Sequence, residues 1–216
     1  MDIHFIQGQN FDSNIYVVKG EKNTIIDTGT GLNPEKINKK VKKIIDPEDI
    51  DQIILTHEHY DHCGGVENFT KISKKKVDII AHKKAAEKLK EGKSIFAKLL
   101  GGKMPKIQVS KKLEDQDTIK IGDQICIVIY TPGHTAGSIS LYNEKEKTLF
   151  TGDTVFANGS FGRTDLPGGN RDLLKKSIEK LHSLDVKNLY PGHESIVEGD
   201  GKYHLNLSLK HSKKML

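Results

Sequence analysis

Apolar positions in the first part of the chain come in short runs. Residues 3–6, 15–18 and 24–27 are separated by Gly, Asn and Asp, which predicts strands joined by turns. The period then changes. Ile37, Val41, Ile44 and Ile45 recur at helical spacing with lysines between them, and Pro34 opens the segment, so 34–45 is predicted as an amphipathic helix. Ile53-Ile54-Leu55 predicts a buried strand that runs straight into Thr56-His57. Ile79-Ile80-Ala81 predicts another, followed by a helix over 83–90. Ile95, Phe96, Leu99 and Leu100 predict a short helix over 94–100 packed on the core.

The second part repeats the style. Residues 118–121, 124–130, 138–142 and 148–150 read as strands, and 172–184 as an amphipathic helix. Asn188-Leu189-Tyr190 is a strand that ends at Pro191-Gly192-His193, and a terminal helix starts near Lys202. Strands followed by helices, twice over, without a linker or low-complexity stretch, predict two sheets packed together with helices outside.

Composition narrows the classes. The 216 residues are 35% hydrophobic and 29% charged, which suits one ordinary globular domain spanning 1–216. An apolar run long enough to cross a bilayer is missing from the sequence, and Met1 to Gln9 lacks the pattern of a secretory signal. Cys63 and Cys126 are the only cysteines, which excludes a disulfide scaffold and makes a cytoplasmic location the expectation. The net charge is +5, but Arg163 and Arg171 are the only arginines. Lysines spread over solvated helix faces account for the rest, so neither a nucleic-acid nor a membrane partner is expected.

The chemistry collects where strands end. Thr56-His57-Glu58-His59-Tyr60-Asp61-His62 follows the 53–55 strand. Residues two apart on an extended segment point the same way, so His57 and His59 can face one ion. Asp61 and His62 come after the chain turns and can face a second point nearby. Imidazole and carboxylate are the usual donors to zinc and related ions. Three more strand ends carry His134, Asp153 and His193, each beside a glycine that lets backbone approach closely.

Taken together these motifs resemble the metallo-β-lactamase superfamily over nearly the whole chain, from Ile26-Asp27-Thr28-Gly29 to Pro191-Gly192-His193. The resemblance implies an α+β fold, a four-layer αββα sandwich of two similar halves. It also implies a ligand set: His57, His59 and His134 on a first metal, Asp61, His62 and His193 on a second, and Asp153 bridging them. Asp27 would orient a ligand from behind. Thr151-Gly152-Asp153-Thr154-Val155-Phe156 followed by Gly162-Arg163-Thr164-Asp165 is similar to the glyoxalase II-like (hydroxyacylglutathione hydrolase) branch, and also to the persulfide dioxygenases. Only Glu194 to Leu216 follow His193, where glyoxalase II proper carries a helical glutathione-binding domain, so S-lactoylglutathione is expected to be a mediocre substrate.

The expected activity is therefore hydrolysis of a small-molecule thioester or ester by two divalent ions, zinc foremost and iron or manganese as alternatives, with Asp61 accepting a proton. Arg163 and Tyr60 flank the metal loops and are candidate substrate contacts. The rival is a mononuclear-iron oxidoreductase of the persulfide dioxygenase kind, built on His57, His134 and Asp153. A homo-oligomer is compatible with the sequence. Cys63, although next to His62, is expected to pack rather than ligate.

Overall fold

The computed structural model describes residues 1–216, the side chain of Ile95 excepted; that side chain, part of the apolar face expected over 94–100, lies outside the described residues. The chain divides into two compact units, 1–113 with 120–124, and 114–119 with 125–216.

The first unit carries β1 (Asp2–Ile6), β2 (Ile15–Lys19), β3 (Thr24–Ile26), α1 (Pro34–Lys42), β4 (Gln52–Leu55), α2 (Tyr60–Cys63), α3 (Val66–Ile72), β5 (Asp78–His82), α4 (Lys83–Glu91), α5 (Ile95–Leu99) and β6 (Lys111–Leu113). Its sheet runs β1-β2-β3-β4-β5-β6. The first three strands are antiparallel hairpin neighbours, and β3 to β6 are parallel. Parallel neighbours need crossovers, which the helices supply. On one face Ile15, Val17, Ile25, Ile53, Leu55, Ile79 and Ala81 pack with Val41 of α1, Val66 and Phe69 of α3, and Ala85 and Leu89 of α4. The alternate residues Tyr16, Val18, Ile26, Ile54 and Ile80 are buried as well. A sheet buried on both faces explains why these strands read as unbroken apolar runs rather than alternating ones.

Ile26 pairs with Ile54, and Leu55 with Ala81, so β3, β4 and β5 end nearly level. The loops that follow them emerge side by side at the carboxyl edge, the usual place for ligands in a parallel sheet.

The other sheet, β11-β10-β9-β8-β7, is made from β7 (Thr118–Ile121), β8 (Gln124–Tyr130), β9 (Ile139–Asn143), β10 (Thr148–Gly152) and β11 (Asn188–Pro191), and apart from residues 120–121 and 124 it belongs to the second unit. β8, β9 and β10 are antiparallel; β10 and β11 are parallel, joined through α6 (Arg171–His182). Ile129, Tyr142, Leu149 and Leu189 pack with Leu174, Ile178 and Leu181 of α6 and with Leu205 of α7 (Gly201–Met215). Among the described residues no helix is long and apolar enough to cross a membrane.

Three local expectations change. The helix expected over 34–45 stops at Lys42, and the N–H groups of Ile44 and Ile45 both turn back to the Val41 carbonyl. Pro47 lies just beyond, and the residue before a proline avoids helical geometry. Asp27 leaves the expected 24–27 strand, with φ at +57°. α3 and β6 were not read from the sequence, although Val66, Phe69 and Ile72 have the three-residue spacing of a buried helix face.

Burial also sets the state of both thiols. It holds Cys126 up to about 12, with Glu146 adding to the effect. Burial likewise holds Cys63 well above its usual range, helped by Asp61, Asp27 and Glu58. Both thiols should resist iodoacetamide at pH 8.5 in the native protein and react once urea unfolds it. An unfolded thiol ionises near pH 8.5 while the folded Cys126 keeps its proton, so the unfolded state binds fewer protons and stability should fall as pH rises from there towards 12. The urea midpoint should be lower at pH 10 than at pH 8; an equal or higher midpoint contradicts this.

Candidate metal centre

In the first unit the site begins with a carboxylate. Asp27 follows β3 in a left-handed conformation, which Asp tolerates better than most residues, and its N–H donates to the Ile54 carbonyl at 3.0 Å. Its side chain is 2% exposed as a residue and meets three donors. Oδ1 accepts the Thr56 N–H at 2.8 Å, and Oδ2 accepts the Thr56 hydroxyl at 2.7 Å and His62 Nδ1 at 2.8 Å. A buried carboxylate needs such partners because water cannot supply them.

The chain bends over 56–58 directly after β4, so His57 and His59 do not lie on one extended segment as expected; His59 is extended, and the chain then enters α2, whose single turn carries Asp61 and His62. The rings of His57 and His59 stand 4.9 Å apart and those of His57 and His62 4.1 Å apart. His57 and His62 are fully buried. Ligand atoms of His57 and His59, of His57 and His62, and of Asp61 and His62 lie within 4.8 Å of each other.

Close backbone packing holds α2 in place. The His62 carbonyl accepts the Thr28 N–H at 2.7 Å, and the Gly29 carbonyl accepts the Gly65 N–H at 3.0 Å. A Cβ on Gly64 or Gly65 would overlap the carbonyl oxygens of Thr30 and Thr28. Cys63 donates its thiol to the His59 carbonyl at 2.9 Å, a packing role. Tyr60 is buried, its hydroxyl set close against the backbone of Gly102.

The second unit gathers the other three candidates. His134 follows β8, Asp153 follows β10, and His193 follows β11. His134 Nε2 lies 3.4 Å and His193 Nε2 3.6 Å from the same oxygen, Asp153 Oδ2. His134 Nδ1 lies 2.7 Å from the carbonyl oxygen of Arg163. Gly162 permits that approach, because a Cβ there would overlap the Asp153 carbonyl and stand 3.0 Å from the His134 ring. The Arg163 guanidinium turns elsewhere, donating to both carboxylate oxygens of the exposed Asp165 at 2.7 and 2.6 Å and holding that carboxyl down at about 2. Sequence reasoning singled out Arg163 for its side chain; its backbone carbonyl, which carries no signature of its own, is what reaches a candidate ligand.

The proton positions follow from these contacts. A carbonyl or ionised carboxylate only accepts, so Nδ1 of His134 and of His62 must carry the proton. With Nδ1 committed to its acceptor, Nε2 is the atom through which each ring could ligate. In the second unit His134 Nε2 faces Asp153 Oδ2 at 3.4 Å; in the first, His62 Nε2 faces Asp61 Oδ2 at 3.6 Å. Imidazole nitrogens and carboxylate oxygens converging at this range, with the far nitrogens held by carboxylate or carbonyl, could hold a borderline divalent cation.

The model of the metallo-beta-lactamase superfamily matches residues 8–193. The protein named "Probable metallo-hydrolase MJ0888" of Methanocaldococcus jannaschii is 35% identical over 201 residues, 88% of this chain and 92% of its own length. The "Acyl-coenzyme A thioesterase MBLAC2" of Gallus gallus is 26% identical over 227 residues, 94% of this chain and 81% of that protein. The crystal structure of TTHA1623 in a di-iron-bound form superposes with a TM-score of 0.75 at 26% identity, covering 96% of each chain. Two sheets in a mixed α+β chain and a His/Asp cluster suited to metal binding agree with these matches: the chain belongs to the metallo-β-lactamase superfamily and is a metallo-hydrolase of that family.

Proposed function

We propose that residues 1–216 act as one domain with a dinuclear metal centre that hydrolyses a small-molecule thioester or ester. His57, His59 and His134 would hold one ion, Asp61, His62 and His193 the second, and Asp153 both. The observation that carries this reading is the contact of His62 Nδ1 with a carboxylate and of His134 Nδ1 with a carbonyl, which favours the tautomer that ligates through Nε2. The thioester class is supported by the likeness to an acyl-coenzyme A thioesterase. When bound, the ions, zinc foremost with iron or manganese as alternatives, supply an acidified water and polarise the carbonyl under attack.

The chain's own residues do the rest. Asp27 keeps His62 in the ligating tautomer and raises its basicity. Asp61, whose side chain is 27% exposed, takes the proton from the attacking water and returns it to the departing thiolate. Two free thiols, both buried, suit a reducing cytoplasm.

Metal affinity should respond to the supporting residues. Asp27→Asn keeps a residue that tolerates the left-handed backbone but weakens the partner of His62. Gly162→Ala pushes the Arg163 carbonyl off His134. Each should lower zinc affinity by about tenfold to a hundredfold in competition with a chromogenic chelator. Wild-type affinity in both variants would detach these contacts from the metal.

A thiol-release assay on short acyl thioesters tests the reaction. The zinc-loaded protein should turn over equally in air and under argon, since hydrolysis consumes only water. Oxygen uptake with glutathione persulfide by the iron-loaded protein, with no thioester cleavage under either metal, would replace this reading with the dioxygenase.

A further inference from the structure

The segment 155–163 touches every metal-ligand candidate of the second unit. It starts two residues after Asp153 and ends at the carbonyl that holds His134 Nδ1. Between them the Phe156 ring meets the His193 ring edge-on at 6.1 Å, and the Ser160 hydroxyl donates to Glu194, the residue after His193, at 3.0 Å. The segment closes on itself through the Val155–Phe161 bridge and the Phe156 N–H to Ser160 carbonyl bond at 2.9 Å. Its tip is costly: Asn158 and Gly159 are both left-handed, at φ +56° and +81°.

α7 grips that tip from outside. His204, Ser208 and His211 follow the i, i+4, i+7 spacing of one helix face. His204 Nδ1 accepts the Asn158 N–H at 2.8 Å, and His211 Nδ1 donates to the Gly159 carbonyl at 2.9 Å. The Ser208 hydroxyl lies 3.4 Å from the Ser160 carbonyl. A Cβ on Gly159 would stand 2.7 Å from His211 Nδ1 and from Leu207 Cβ, so helix and turn meet without a gap. The two histidines address backbone groups of consecutive residues, while the Ser208 hydroxyl has its nearer acceptor, at 3.1 Å, in the His204 carbonyl of its own helix.

We propose that His204 and His211 are positioning residues: the α7 stripe clamps the 157–160 turn and thereby sets His134, Asp153 and His193 for metal binding. This rests on the metal reading above. The inference concerns geometry held through backbone, so side chains that reproduce the hydrogen bonds should suffice. Asn places an oxygen or an amide N–H where the imidazole Nδ1 stands, whereas Leu places neither.

The test compares His204→Leu/His211→Leu with His204→Asn/His211→Asn. In the metal-free protein, amide exchange at Asn158 and along 155–163 should speed up at least tenfold in the Leu pair and stay near wild type in the Asn pair. Zinc affinity, by chelator competition, should fall on the order of tenfold in the Leu pair and recover in the Asn pair. The single His204→Leu variant, with smaller shifts of the same sign, serves if the Leu pair does not fold. A wild type that binds two ions while the Leu variants match it in exchange and affinity overturns this inference alone. A wild type that binds no metal overturns the metal reading and this inference with it. An Asn pair as impaired as the Leu pair also overturns it, because the hydrogen bonds would then not be what the turn needs.

Discussion

An imidazole has one lone pair to give, and the partner of its other nitrogen decides which atom gives it. At His62 that partner is a carboxylate buried with three donors, and at His134 it is a main-chain carbonyl. The surrounding structure is arranged to deliver these two acceptors. Asp27 can reach His62 only because β3 and β4 end level and the backbone at Asp27 turns left-handed at once. The Arg163 carbonyl can reach His134 only because Gly162 has no side chain. Tilt either acceptor away and Nδ1 can give up its proton, leaving Nε2 to carry it and lose its value as a donor.

That requirement accounts for part of the backbone strain and for several of the glycines. A non-glycine residue in the left-handed region costs on the order of 1 kcal/mol or more and persists where neighbours impose it. Asp27 and Glu194 both adopt it, the first behind a ligand and the second directly after one. Gly64 and Gly65 let α2 lie against the 28–30 loop, so backbone hydrogen bonds seat the turn that carries Asp61 and His62, and Asp27 then holds the His62 ring. Main-chain geometry thus positions the candidate ligands of each unit, directly or through Asp27.

Much of this was legible in the chain. The 53–55 run followed by three histidines and an aspartate within six residues marks β4 and its loop, since a core strand has no other use for such a cluster. His134, Asp153 and His193 were legible for the same reason, each following a strand of its own, whereas Asp27, read as part of the 24–27 strand, was marked only by the family resemblance. What stayed hidden acts through backbone. The carbonyl holding His134 belongs to a residue 29 positions away, and any residue has a carbonyl. The α7 stripe was equally silent. His204, Ser208 and His211 are polar on a face that packs inward, so the helix lacks a clean apolar side, and its histidines look like surface residues. The short α3 escaped because it follows the metal loop directly, and the end of α1 was overrun because Ile44 and Ile45 continue the apolar spacing past the point where Pro47 stops the helix.

Under the proposed function the seven candidate His and Asp ligands hold a pair of ions. X-ray absorption on the zinc-loaded protein, with the metal content of the same sample, tests it most directly. The account predicts two zinc ions per chain, a first shell of imidazole nitrogen and carboxylate oxygen, and a metal–metal vector near 3.5 Å, the spacing expected of a two-metal hydrolytic site. A plateau at one ion per chain without that vector, or sulfur in the first shell, would contradict it.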